Sequence, residues 1–214
     1  MNLPDIIIGA GSIVVGVRAL TSGLNSRRPK QLAGVLPADG TSARASRHTV
    51  HTIGQRASYI VGLIQRGRTD PRVREFSVRI LSRKCGKKWC IPERDSWGEI
   101  KALFDAVRQN VRYTRDIWGI DTFQHAVRTL QWGGEDCDGY VITLGSMLQS
   151  VGFPVRLRII RTSNSRDWNH IFLLAGLPPR GPSKWVSLDA SVNQPPGWHP
   201  PKWMVSGIRD FDVP

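Results

Sequence analysis

Apolar positions from residue 96 onward recur with two different periods, first about 3.6 and then 2. The run Ser96-Trp97-Gly98-Glu99 opens a stretch in which Ile100, Leu103, Phe104, Val107 and Val111 share one helical face. Ser96 can cap this helix and Glu99 sits three residues later, as a capping box requires, so a helix is predicted to about Val111. A second helix is predicted from Cys137, with Val141, Leu144, Leu148 and Val151 on one face and Gly152 placed to end it before Phe153-Pro154. Three alternating segments follow, residues 155–161 (VRLRIIR), 170–175 (HIFLLA) and 184–190 (KWVSLDA), separated by turn-rich stretches at 162–165 and 178–182. No long helix is expected after them. Helices first and antiparallel strands after is an α+β order, with the Cys137 helix packed on the sheet.

Upstream the pattern weakens. Residues 55–81 carry helical patches (Ile60, Leu63, Ile64; Val73, Phe76, Ile80) broken at Gly67 and Asp70-Pro71, which predicts two short helices. Residues 25–54 are rich in Ser, Arg, Pro and Gly with no sustained period and read as a linker or extended arm. Residues 6–17 (IIIGAGSIVVGV) are apolar, but as a helix they reach roughly 18 Å against a hydrocarbon core of about 30 Å, too short to span a membrane unaided. Gly9-Ala10-Gly11 lacks the third glycine of a dinucleotide fingerprint. The division expected is an apolar segment (1–24), a basic linker with a short helix (25–70) and one folded domain (71–214).

Charge sharpens this division. Of a formal net charge of +13, most belongs to residues 1–95, which hold 17 Lys/Arg against 6 Asp/Glu, while residues 96–214 hold 13 against 11. A basic arm on a near-neutral domain implies electrostatic contact with nucleic acid, an anionic membrane or an acidic protein surface, or simply a solvated arm. Three cysteines are too few for a disulfide scaffold, and Asp5 rather than a basic residue precedes the apolar run, so a reducing compartment is expected. Cys85 and Cys90 lack the second Cys/His pair a zinc site needs, which leaves two free thiols or one reversible disulfide. No metal or cofactor is expected.

The chemistry centres on GGEDCDGY, residues 133–140. Cys137 falls at the first turn of its helix, where unpaired N–H groups and the helix dipole stabilise a thiolate and can hold an oxyanion. Asp136 and Asp138 complement that dipole, yet their charge beside a thiolate raises its pKa, so they must point away or serve another purpose. Alternation puts His170, Phe172 and Leu174 on one strand face and Trp185, Ser187 and Asp189 on another, so in neighbouring strands His170 and Asp189 can point together toward the start of the Cys137 helix. Each residue alone is commonly structural. Together, in the order Cys, His, Asp, they form a nucleophile, base and orienter of papain type.

These residues carry a resemblance. Val111-Arg112-Tyr113 with Asp116, Gln124, Thr129-Leu130 before Gly133-Gly134, Asp136-Cys137-Asp138, GFPVR (152–156), His170 to Phe172, WVSLDAS (185–191) and PGWHPP (196–201) resemble the transglutaminase-like superfamily with its papain-like fold, and more narrowly its tailed-phage and prophage versions. The resemblance implies Cys137 as nucleophile, His170 as base and Asp189 as orienter, a protein or peptide substrate, and hydrolysis or crosslinking by acyl transfer without a cofactor. Trp132, by its indole, or Gln131, by its amide, would supply a second oxyanion donor. Gly139 departs from the phage-type pattern, which more often has a second Asp there. The phage likeness also implies a place in the virion or the host bacterial cytoplasm, contact with other virion subunits, and a rival role as an assembly protein whose domain mainly binds.

Overall fold

The computed structural model describes residues 12–13, 49–50, 52–116 and 122–214. Most of the apolar segment and of the basic arm therefore lies outside the described residues; within them, β1 (Ser12–Ile13) pairs antiparallel with β2 (Thr49–Val50). Thr52 opens α1 (Ile53–Thr69) with a complete capping box, its side chain accepting from the Gln55 amide while Gln55 reaches back to the Thr52 amide. The break expected at Gly67 does not occur. A Cβ there would lie 2.1 Å from Ser146 Oγ, so this glycine marks a close crossing of two helices. The true break is one turn later, where Asp70 caps α2 (Pro71–Leu81) and Pro71 takes its first position.

A short hairpin follows, β3 (Lys84–Cys85) and β4 (Lys88–Trp89), closed by a Cys85–Cys90 disulfide, the second of the two states open to this pair. The next helix, α3 (Ser96–Asn110), is capped by Asp95, whose carboxylate accepts from the Gly98 amide; Ser96 is its first helical residue and not the cap. Beyond β5 (Arg112–Tyr113), a seven-residue helix α4 (Ala126–Trp132) that the periodicity did not reveal leads to β6 (Gly134–Glu135) and to α5 (Cys137–Ser150).

The three alternating segments become β7 (Val155–Thr162), β8 (His170–Leu177) and β9 (Lys184–Leu188), antiparallel neighbours as expected. A fourth strand, β10 (Val205–Val213), was not expected; it pairs antiparallel with β7 and completes the order β10-β7-β8-β9. Its polar outward positions meet arginines of β7, with Arg158 paired to Asp210 and Arg156 to Asp212, so ionic and not apolar alternation marks it.

Almost every residue of α5 is buried, and its Leu144, Met147 and Leu148 share one core with Leu157, Ile159, Ile171 and Leu173 of the sheet. Ala57, Ile60 and Ile64 of α1 and Val73 and Phe76 of α2 join that core. Residues 53–69, grouped with the arm on composition, are thus structurally part of the globular unit. No described helix is long and apolar enough to cross a membrane.

Candidate active site

The turn that presents Cys137 is stitched in place before the helix begins. Strands β5 and β6 pair in parallel, Arg112 N donating to Gly133 O at 2.9 Å and Thr114 N to Glu135 O at 3.0 Å. Gly133 ends α4 in the left-handed region, and the two residues of β6 then lead through Asp136 into α5. Asp136 is the N-cap: its Oδ1 accepts from Asp138 N at 2.9 Å and Gly139 N at 3.4 Å. Cys137 is then the first helical residue, where the backbone amide has no intrahelical acceptor. The two acids serve separate purposes. Asp136 caps, whereas Asp138 is fully buried and forms an ion pair with Arg56 of α1.

Gly139 has a steric reason. A Cβ at this position would sit 1.5 Å from Glu135 Cγ, so the Glu135 side chain occupies the space that any larger residue at 139 would claim. Glu135 is itself buried, and burial followed by repulsion from Asp116 pushes its carboxyl up to about 8, so it is largely protonated at neutral pH.

His170 begins β8 and Asp189 follows the last residue of β9. The register Leu173 opposite Leu188 puts Phe172 level with Asp189 and His170 one diagonal step away. The pair closes with His170 Nε2 2.6 Å from Asp189 Oδ2. The other carboxylate oxygen accepts from Ser191 Oγ at 2.7 Å and Ser191 N at 3.3 Å. Both side chains are buried. Burial alone would lower the His170 pKa, but the Asp189 charge and hydrogen bond outweigh it, so the imidazolium is held above its ordinary range. Alternation correctly put His170 and Asp189 on the same side. It did not identify the set facing the body of α5, which is Ile171, Leu173 and Ala175.

Cys137 and Asp189 line one small pocket with Tyr140, Val141, Leu144, Leu188 and Ser191. No hydrogen bond joins Cys137 to His170, whose Nδ1 is the nitrogen left to act on a thiol. Cys137 is 2% exposed. Burial, then Asp136 and Asp138, push its thiol well above the ordinary value, while Arg56 pulls the other way. These contributions run against the helix-start effect expected to favour a thiolate. Trp132 is 46% exposed at the end of α4 with the Arg128 guanidinium 5.1 Å from its ring centroid, and neither it nor Gln131 lines the pocket. Residues that sequence reasoning missed are Arg56, Glu135 and Ser191. Only Ser191 left a local trace, a hydroxyl two residues after an aspartate.

A helix that begins at a cysteine, packed on an antiparallel sheet bearing a His–Asp pair, defines an α+β fold, the arrangement expected of a transglutaminase-like, papain-like domain. Residues 90–190, just under half of the chain, match the model of the transglutaminase-like superfamily. No curated protein matches the sequence.

Among solved structures, the chain is similar to a candidate cysteine protease from Cytophaga hutchinsonii (12% identity, TM-score 0.43, 72% of this chain and 51% of that one). It is also similar to Legionella pneumophila LapG (20% identity, TM-score 0.42, 65% and 73%). A third is a candidate protease from Parabacteroides distasonis (15% identity, TM-score 0.46, 87% and 38%). The chain spans about half the length of the Cytophaga protein.

Proposed function

We propose that this chain is a cysteine acyl-transfer enzyme of protease or amidase type, acting on a protein or peptide carbonyl through Cys137, His170 and Asp189. The observation that carries this reading is the buried His170 Nε2 to Asp189 Oδ2 pair, 2.6 Å long, with Asp189 lining the pocket that holds Cys137. Because the thiol is pushed up, the resting site holds a neutral Cys137, and His170 acts as a general base during attack. Nδ1 takes the thiol proton as Sγ bonds to the carbonyl carbon. The carbonyl oxygen becomes an oxyanion facing the Cys137 amide and the start of α5.

Asp189 stabilises the imidazolium, which then gives its proton to the departing amine as the C–N bond breaks and a thioester forms. Water resolves the thioester to an acid, or an amine resolves it to a new amide, with His170 again moving the proton. Trp132 and Gln131 stay as candidates for the second oxyanion donor only if the end of α4 swings in when substrate binds.

A second reading has its own observation. The 2% exposure of Cys137 also suits a domain that binds other subunits, in keeping with a phage-associated assembly protein whose basic arm contacts packaged nucleic acid in the virion. One experiment separates the two: the pH dependence of Cys137 alkylation by iodoacetamide, with Cys85 and Cys90 changed to Ser, in wild type and in His170→Ala. The enzyme reading expects His170→Ala to slow alkylation by at least tenfold near pH 7. A sluggish thiol that titrates like free cysteine and ignores His170 would leave the binding reading.

A further inference from the structure

The first turn of α5 gathers negative charge around a single thiol. Its own turn supplies Asp136 and Asp138, Asp189 arrives from the end of β9, Tyr113 faces it from β5, and His170 faces Asp138 and Asp189 from β8. Asp116 adds to the field on Asp136, and Glu135, largely protonated at neutral pH, joins it only as it ionises. Against these carboxylates stands Arg56, the cation among the largest influences on Cys137. It comes from 82 positions before Asp138, and both partners are buried, at 9% and 0% exposure. Its guanidinium also lies 5.7 Å from the Phe123 ring centroid, so the side chain is held on a second side.

Arg56 stands outside the family-matched segment of residues 90–190. Packing places it there: Ile60 and Ile64 enter the common core, and the Gly67–Ser146 crossing brings the two helices into close approach. A buried ion pair contributes little net stability after desolvation, whereas removing one partner strands the other charge. Stability alone is therefore a weak reason to keep a guanidinium beside a nucleophile.

We propose that Arg56 is a positioning residue for the reaction: delivered from α1, it neutralises the buried Asp138 carboxylate beside Cys137 and so allows the thiol to give up its proton toward His170. This rests on the reading of Cys137 as the nucleophile, and it makes α1 a working part of the site.

The test follows thiolate absorbance at 240 nm against pH in the full chain, with Cys137→Ser as the blank and circular dichroism to confirm folding. Arg56→Gln is expected to raise the Cys137 midpoint by at least about one pH unit, roughly tenfold less thiolate at a fixed pH below it. Arg56→Lys, which keeps the charge, should stay within about half a unit of wild type by the same electrostatic argument. Arg56→Gln with Asp138→Asn should return close to the wild-type midpoint, because the charge that Arg56 offsets is gone. An unchanged midpoint in folded Arg56→Gln, or no return in the double variant, overturns the proposal.

Should Arg56→Gln fail to fold, Asp138→Asn is compared with the double variant, and equal midpoints overturn it. A wild-type thiol indifferent to His170 would remove the enzyme reading. A thiol that responds to His170 but not to Arg56 would remove only this inference.

Discussion

Replacing Glu135 by Gln should make the protein more stable, and more so as the pH rises. The carboxyl is 3% exposed, one of its oxygens (Oε1) has no hydrogen-bond partner, and Asp116 and Asp138 stand close enough to repel its charge. Its folded pKa is pushed up to about 8 from an ordinary 4.5. In the unfolded chain the proton leaves near 4.5, while the folded chain keeps it. The unfolded state is therefore progressively favoured as pH rises from 4.5 to 8, and the effect levels off above that.

At about 1.36 kcal/mol per pH unit the whole cost approaches ~5 kcal/mol, most of which, roughly 3 to 4 kcal/mol, accrues between pH 5 and pH 8. Glutamine keeps the shape of the protonated acid without the titration. Urea denaturation at pH 5 and pH 8, followed by tryptophan fluorescence, gives the difference in stability between Glu135→Gln and wild type at each pH. That difference should grow by a few kcal/mol between the two, even though His170 and Asp136 also titrate, because both proteins share them. An equal difference at pH 5 and pH 8 would refute a protonated Glu135.

Two further outcomes follow from contacts at the same turn. Gly139→Ala should destabilise by about 1–3 kcal/mol through overpacking against Glu135, and Glu135→Ala should relieve most of that loss in a double-mutant cycle. Asp189→Asn removes the charge that holds His170 up, so the ring should titrate lower by NMR. In wild type the pair's stabilisation is complete below the ordinary histidine value of about 6.5 and is lost as pH rises through the raised folded value, and this component of the stability profile should vanish in the variant. An unmoved His170 titration would mean that the Asp189 contact does not govern its protonation.

The sequence by itself determined the elements whose pattern is local. An apolar stripe closed by Gly152 placed α5 from Cys137 onward, and period-2 alternation placed β7, β8 and β9 with His170 and Asp189 on matching sides. Such signals survive because one face of each element meets the core. Strand β10 escaped because it is an edge whose exposed face is matched by salt bridges to β7, and α4 because seven residues hold barely two helical turns.

Only the tertiary structure decided the electrostatics of the site. Whether Glu135 keeps its proton, whether Asp138 is compensated and which way the Cys137 thiol is driven depend on burial and on Arg56, a helix 82 positions upstream of Asp138. Charge acts through space and strengthens as water is excluded, so no spacing along the chain encodes it. The sequence could place a thiol at a helix start; the fold set the charge around it.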